Sequence, residues 1–304
     1  MTWFRSAPFW KSVRRGLFWS LWLAVLPSCT WLDPEDPIPA YLRVEPFVLQ
    51  TDSRSQGSAS AAITEAWLKI NGEFLGVYAL PADIPLLDAA GGTISLEAGI
   101  KENGIGATPE IYPFYQPFTL KAVLAPQQPQ KVEPLIRYRP ETRFSLLEGF
   151  ENSGHLFQSL VSGNESGRIQ ISASEVFEGN ASGQILLDAN NPAVELATTS
   201  RYSGLTARGA FVYLEVNYRS DVPVRFGVIS TPKGGGSSTI QYVAGFNPSE
   251  TWKKIYFNLS PAFSGSTLED YQIILGAAIP LKTDGTLSRT NARILLDNLK
   301  LVHF

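Results

Sequence analysis

The chain has 304 residues, of which 44% are hydrophobic and 12% aromatic, with 25 Gly and 21 Pro. This composition supports a packed core, excludes wholesale disorder and favours turn-rich β structure over a helical bundle. The net charge of −3 hides a split: Arg5, Lys11, Arg14 and Arg15 fall in the first 32 residues with no acidic residue, leaving 21 basic against 28 acidic residues in the rest. An acidic body without a Lys/Arg cluster excludes nucleic acid as a partner, because phosphates need a basic patch.

Residues 1–15, MTWFRSAPFWKSVRR, are basic and aromatic, and residues 16–26, GLFWSLWLAVL, carry no charge. At about 1.5 Å per residue the uncharged run is too short for a bilayer core of about 30 Å. It has the length of a signal-peptide h-region. Leu26-Pro27-Ser28-Cys29 follows, holding the sole cysteine of the chain. These four residues resemble the lipobox of bacterial lipoprotein signal peptides. The resemblance implies cleavage after residue 28, a thioether-linked diacylglycerol on Cys29 and acylation of the new N-terminus. Each buried CH₂ of those chains contributes about 0.8 kcal/mol. The expected partner is then a membrane, held through the lipid, and the expected location is the outer membrane, on its periplasmic or cell-surface face. An ordinary signal peptide with a chance cysteine, or an uncleaved anchor, is the alternative. Residues 29–40 read as a tether. Asp33, Glu35 and Asp36 resemble the acidic export tether of Bacteroidetes surface lipoproteins, or else form a solvated Pro-rich spacer. Thr30 stands where many Gram-negative lipoproteins carry the Asp of an inner-membrane retention signal.

Residues 41–125 read as a small β-sandwich. YLRVEPFVLQ (41–50) is an extended strand, and TDSRSQGSASA (51–61) is a loop. Leu68 and Ile70 then alternate with Trp67 and Lys69 up to Asn71-Gly72. That dipeptide is a strong hairpin signal, because a type I′ turn needs positive φ at both central residues. The return strand is Glu73 to Tyr78. This hairpin resembles the repeated unit of PEGA-like surface domains, which implies an immunoglobulin- or transthyretin-like sandwich. GGTISLEAGIKENG supplies another strand pair. Tyr112, Phe114, Tyr115 and Phe118 either close the bottom of the sandwich or present a binding platform. The wider stretch from ITEAWLKINGEF to EIYPFYQPF is similar to a group of Bacteroidetes lipoproteins, which implies location and no activity.

PQQPQKVEP (126–134) is a Pro/Gln-rich joint, and residues 126–143 are expected to be a semi-rigid linker. From Phe144 onward short strands recur between Gly, Pro, Asn and Ser clusters: GRIQISAS, GQILLDA, FVYLEVNYRS, VRFGVIS, STIQYVAGF, KKIYFNL, YQIILGAAI and ARILLDNLKLVHF. About eight such strands without a helix predict a jelly roll. FSLLEGFEN at its start, WKKIYFNL late and ILLDNLKLV at its end resemble the galactose-binding-like jelly rolls, which include many carbohydrate-binding modules. The predicted class is therefore all-β: two β-sandwiches, an immunoglobulin-, transthyretin- or PEGA-like one at 41–125 and a jelly roll at 144–304, after a signal peptide at 1–28.

Two sets of side chains stand out in the second region. Alternation in ARILLDNLKLVHF puts Leu295, Asp297, Leu299 and Leu301 on one face. A carboxylate in an apolar row needs a partner or a cation. In the resembled family a structural calcium often lies between the first and last strands, which implies Glu148, Glu151 and Asp297 as oxygen ligands. A backbone hydrogen bond to Asp297, or a salt bridge to an arginine, is the alternative. No other cofactor is required. In FVYLEVNYRS, Val212, Leu214, Val216 and Tyr218 face inward; in KKIYFNL, Ile255, Phe257 and Leu259 do. The opposite face then offers Tyr213, Glu215, Asn217, Arg219, Lys254, Tyr256 and Asn258. It is either a sugar-binding surface, with rings for CH faces and polar groups for hydroxyls, or an ordinary solvated face.

Nothing in the sequence assembles an active site. His155 and His303 lie far apart, no pair has metal-ligand spacing, and neither Gly-x-Ser-x-Gly nor a phosphate-binding glycine loop occurs. The expectation is a non-catalytic, membrane-anchored lipoprotein whose jelly roll binds a glycan or envelope polymer. The competing expectation is a structural or assembly lipoprotein that docks other envelope proteins.

Overall fold

The computed structural model describes residues 38–87, 92–126, 128–160, 169–263 and 268–304. The signal-peptide, Cys29 and acidic-tether expectations fall on residues outside this set. No helix among the described residues is long and apolar enough to cross a membrane. Among the described residues, twenty-one strands and one short 3₁₀ turn (Ser260–Phe263) make up the regular structure.

The first sandwich is built from β1 (Ala40–Val44), β2 (Val48–Leu49), β3 (Ile63–Ile70), β4 (Glu73–Ala79), β5 (Ala82–Leu86), β6 (Gly92–Ile100), β7 (Glu110–Ile111), β8 (Phe118–Ala122), β9 (Pro129–Val132) and β10 (Leu135–Ile136). One sheet runs β4-β3-β6, with β7 and β8 pairing successive parts of β6; the other layer holds β5-β1-β9 and the short β10-β2 pair. The alternation read at Leu68 and Ile70 is a core alternation: Ala66 and Leu68 are fully buried against Leu42, Ile84 and Leu96. The Asn71-Gly72 hairpin forms as expected, with φ of 53° and 88°.

The linker expectation needs correction. β9 runs parallel to β1, and β10 parallel to β2, so residues 128–138 complete the first sandwich rather than leave it. The physical reason lies in KVEPLIRY: Val132, Ile136 and Tyr138 alternate with exposed residues and are buried in the first core. Proline at the first residue of β9 removes an N–H but does not prevent pairing at a strand start.

The jelly roll comprises β11 (Arg143–Glu148), β12 (Phe157–Ser159), β13 (Gln170–Ser172), β14 (Ser182–Asp188), β15 (Ala193–Thr198), β16 (Val212–Ser220), β17 (Val224–Pro232), β18 (Thr239–Phe246), β19 (Ser249–Asn258), β20 (Leu268–Ala278) and β21 (Asn291–His303). One sheet has the order β13-β14-β21-β16-β19, with β11 sharing an edge of β21; the other runs β12-β15-β20-β17-β18. All eight expected strands are present. The alternation read in β16 and β19 holds, since Val212, Leu214, Val216, Tyr218, Ile255, Phe257 and Leu259 all enter the core between the sheets. The alternation read in β21 does not hold throughout. Asn298 adopts φ 49° and inserts a bulge. Leu299 and Leu301 therefore join Ile294 and Leu296 in the core, while Leu295 and Asp297 face the other way.

Candidate functional site

The first jelly-roll sheet turns its outer face to the first sandwich, and this decides the fate of the expected sugar-binding surface. Tyr213, Glu215, Asn217 and Tyr256 are 3%, 0%, 1% and 1% exposed, and Tyr213 and Tyr256 belong to the hydrophobic core of the first sandwich. Tyr112 meets the rings of Phe114, Tyr115, Tyr213 and Tyr256 at centroid distances of 4.6–5.4 Å. YPFYQPF is therefore core, not platform. It closes the bottom of the first sandwich by packing onto the jelly roll.

The polar groups of this face are consumed by the junction. Tyr112 and Tyr138 each donate a 2.7 Å hydrogen bond to Oε1 of Glu215. Lys254 Nζ stands 2.7 Å from Oε2, as an ion pair with 3% and 0% of the two side chains exposed. Lys300 Nζ donates to the carbonyl of Ser58 at 2.5 Å and approaches the Tyr138 hydroxyl at 3.3 Å. Burial alone would raise the Glu215 carboxyl, but the Lys254 and Lys300 charges outweigh it and hold the group below the usual carboxylate range. Burial pushes Lys300 down to about 8, against the pull of Glu215. Around this centre the Tyr256 hydroxyl accepts the Ala62 N–H at 2.9 Å, and Asn217 donates to Ser60 at 3.0 Å. Glu102 accepts from Tyr213 and from Asn258, and Asn103 accepts the Asn258 N–H at 3.0 Å. Arg219 alone escapes, half-buried and paired with Glu175 at 3.4 Å. The expected open face is thus an internal weld, because its tyrosines and charges find partners in the first sandwich rather than in solvent.

The three carboxylates expected to hold calcium spend their oxygens on backbone donors. Glu148 accepts the N–H groups of Phe150 (2.8 Å) and Leu156 (2.7 Å). Glu151 accepts from Asn180 and Ala181, and Asp297 from Glu178 (3.3 Å) and Asn298 (2.7 Å). Among the described residues no group of three His, Cys, Asp or Glu is placed to hold a metal. The backbone alternative is the one observed at Asp297. Its side chain is fully buried, and burial raises it to about 7, with Glu151 adding to the rise.

The outer face of the second sheet carries a constellation that sequence reasoning passed over. Tyr242 on β18 lies across the neighbouring strands and donates a 2.7 Å hydrogen bond to Glu195 on β15. Its path is open because β17 and β20 present glycines there. Tyr242 is paired with Gly227, and a Cβ on Gly276 would come within 2.5 Å of the Tyr242 hydroxyl. Arg225, which pairs with Gly276, stacks its guanidinium 4.3 Å from the Tyr242 ring centroid. Beneath lie Ala197, Ile229 and Ile274, a small apolar floor packed by Tyr242. Gln158, opposite Ala197, adds an amide at one side, whereas the Gln272 amide, opposite Ile229, is buried and donates to the Thr198 carbonyl. At one end Glu195 and Arg225 open into a cavity of about 360 Å³ whose rim is the Asn190–Asn191 turn. Asp188 fixes that turn by accepting both asparagine N–H groups at 2.7–2.8 Å. A ring, a planar cation, a carboxylate and an amide on one rigid sheet face can stack against a sugar and bind its hydroxyls. The available signal was the pairing of outward Tyr242 with the glycines of VRFGVIS and YQIILGAAI.

No family model and no curated protein matches the chain. Among solved structures it is similar to a xylan-binding domain from carbohydrate-binding module family 22, at 11% identity over 53% of this chain and 94% of that one, with a TM-score of 0.33. A structure of promiscuous carbohydrate-binding modules of the β-sandwich superfamily aligns at 10% identity over 88% and 99%, with a TM-score of 0.39. The family 11 carbohydrate-binding module of a cellulosomal cellulase of Clostridium thermocellum aligns at 12% identity over 53% and 95%, with a TM-score of 0.35.

Proposed function

We propose that the protein is a non-catalytic, lipid-anchored glycan-binding protein of the outer membrane, and that its ligand face is the outer face of the second jelly-roll sheet. The observation that carries this reading is Tyr242, laid over Gly276 between Glu195 and Arg225 beside a cavity. The opposite sheet has no free face to offer at Tyr213 and Tyr256, because the first sandwich covers it. The first sandwich then acts as a mount between the Cys29 lipid and the ligand face. A structural calcium at Glu148, Glu151 and Asp297 belongs to the same reading, with the cation replacing the backbone donors that these carboxylates now accept from.

A glycan array probed with the full-length chain in detergent is the test. Binding to a glycan class that is lost in Tyr242→Ala supports the reading; no binding across a broad array overturns it. Lipid labelling that persists in Cys29→Ala overturns the anchor. One observation favours the docking alternative: edge strand β4 exposes Phe74 (50%), Leu75 (44%) and Val77 (37%). Envelope proteins that co-purify with the wild-type chain and not with Phe74→Ser would favour it.

A further inference from the structure

A second cavity, of about 570 Å³, lies where the two sandwiches meet the end of β21. Gln56 reaches it from the first sandwich, Arg143 and Ser145 from β11, and Arg208 from the loop between β15 and β16. Among the described residues, no Asp or Glu lines it. Both arginines are exposed, and neither forms an ion pair among the described residues. Arg43, Arg201, Arg219, Arg289 and Arg293, by contrast, each hold a carboxylate. The wall adds neutral polar atoms. Thr142 is buried, with a hydroxyl that has no hydrogen-bond partner. Ser145 shares a 2.8 Å hydrogen bond with Nε2 of His303, whose Nδ1 contacts the Phe304 carbonyl at 2.9 Å. Burial lowers His303, so the positive charge of the cavity belongs to the arginines. A free α-carboxylate on Phe304 would cancel one of the two charges and leave the other.

Guanidinium groups recognise planar and tetrahedral oxyanions through two parallel N–H donors, and they keep their charge at every working pH. We propose that this cavity binds an oxyanion, a carboxylate or phosphate on a small molecule, held by Arg143 and Arg208 with the Thr142 hydroxyl as a further donor. The site is separate from Tyr242 and does not rest on the glycan reading.

The test is isothermal titration of the detergent-purified full chain with inorganic phosphate, with glucuronate, and with glucose as the neutral control. The expected result is binding of phosphate or glucuronate but not glucose, weakened as NaCl rises from about 50 to 500 mM. Whichever of the two binds more tightly identifies the favoured oxyanion. Arg143→Gln/Arg208→Gln should weaken it at least tenfold, with circular dichroism unchanged, while Tyr242→Ala leaves it as in the wild type. Because both arginines are exposed, the double variant should fold; should it not, Arg208→Gln alone, on a loop, must weaken binding several-fold. Equal binding by the arginine variants, or oxyanions that bind no better than glucose, would overturn the proposal.

Discussion

Removing the Glu215 carboxylate should break the junction between the sandwiches. In Glu215→Ala, Lys254 keeps a buried ammonium without its 2.7 Å partner, and the Tyr112 and Tyr138 hydroxyls lose their acceptor. Truncating one member of a buried ion pair costs about 3–5 kcal/mol, because the remaining charge stays desolvated. Against a total stability of roughly 5–15 kcal/mol that is a large fraction. Glu215→Gln keeps the shape and one acceptor, and should cost about 1–3 kcal/mol. Glu215→Leu combined with Lys254→Met removes both charges together, and should recover most of the loss seen in Glu215→Ala. Urea denaturation of the four proteins gives the energies, and limited proteolysis shows whether cleavage begins in the loop at 51–61, which faces Lys300 through Ser58. If Glu215→Ala stays within about 0.5 kcal/mol of wild type, as ordinary surface substitutions do, Glu215 does not weld the sandwiches together.

Three further outcomes are expected. Gly276→Ala places a methyl 2.5 Å from the Tyr242 hydroxyl; the ring must leave Glu195, and glycan affinity should fall roughly tenfold, about 1.4 kcal/mol, while the urea midpoint moves little. Unchanged affinity would mean that the placement of Tyr242 is irrelevant to binding. Burial raises Asp297 from an ordinary 3.8 to about 7, so its favourable contribution is full below about pH 4 and is lost as pH rises through about 7. Asp297→Asn stays neutral and should gain in urea stability relative to wild type between pH 5 and pH 8, whereas calcium bound to an ionised Asp297 would reverse that trend; a gap that ignores pH refutes the burial argument. Gly72 sits at φ 88°, so Gly72→Val should cost about 1 kcal/mol or more in urea stability, and a neutral result would mean that the hairpin does not need its positive-φ turn.

The strands were legible in the sequence because their cause is local. Asn71-Gly72 declares its own turn, and alternation in β16 and β19 sorts inward from outward residues without reference to any partner. What lies against the outward residues is not local. The tyrosines and charges of Tyr213, Glu215 and Tyr256 have the same composition whether they meet a sugar, water or the first sandwich, so periodicity could not tell a ligand face from a domain junction. Lys300 carried a faint hint, a lysine in the middle of the apolar row NLKLV, and it proves to be 1% exposed at that junction. The bulge at Asn298 erased the alternation in β21 because one residue in the left-handed region shifts every later side chain to the other face. β9 hid behind its prolines and glutamines: a Pro-rich composition reads as linker, yet parallel pairing with β1 across some ninety residues is invisible in a single stretch. The Tyr242 site was missed for a related reason. Its parts lie on β15, β17, β18 and β20, and only the sheet order brings them together.

Hydroxyl-radical footprinting of the full-length chain, with and without the glycan it captures, tests the central claim most directly. In the free protein Tyr112, Tyr213 and Tyr256 should be unreactive beneath the first sandwich, while Tyr242 is oxidised. Saturating glycan should then protect Tyr242 and leave the other three unchanged. If Tyr213 and Tyr256 are oxidised as readily as Tyr242, and the ligand protects them instead, the ligand face is the first sheet and Tyr242 is not its anchor.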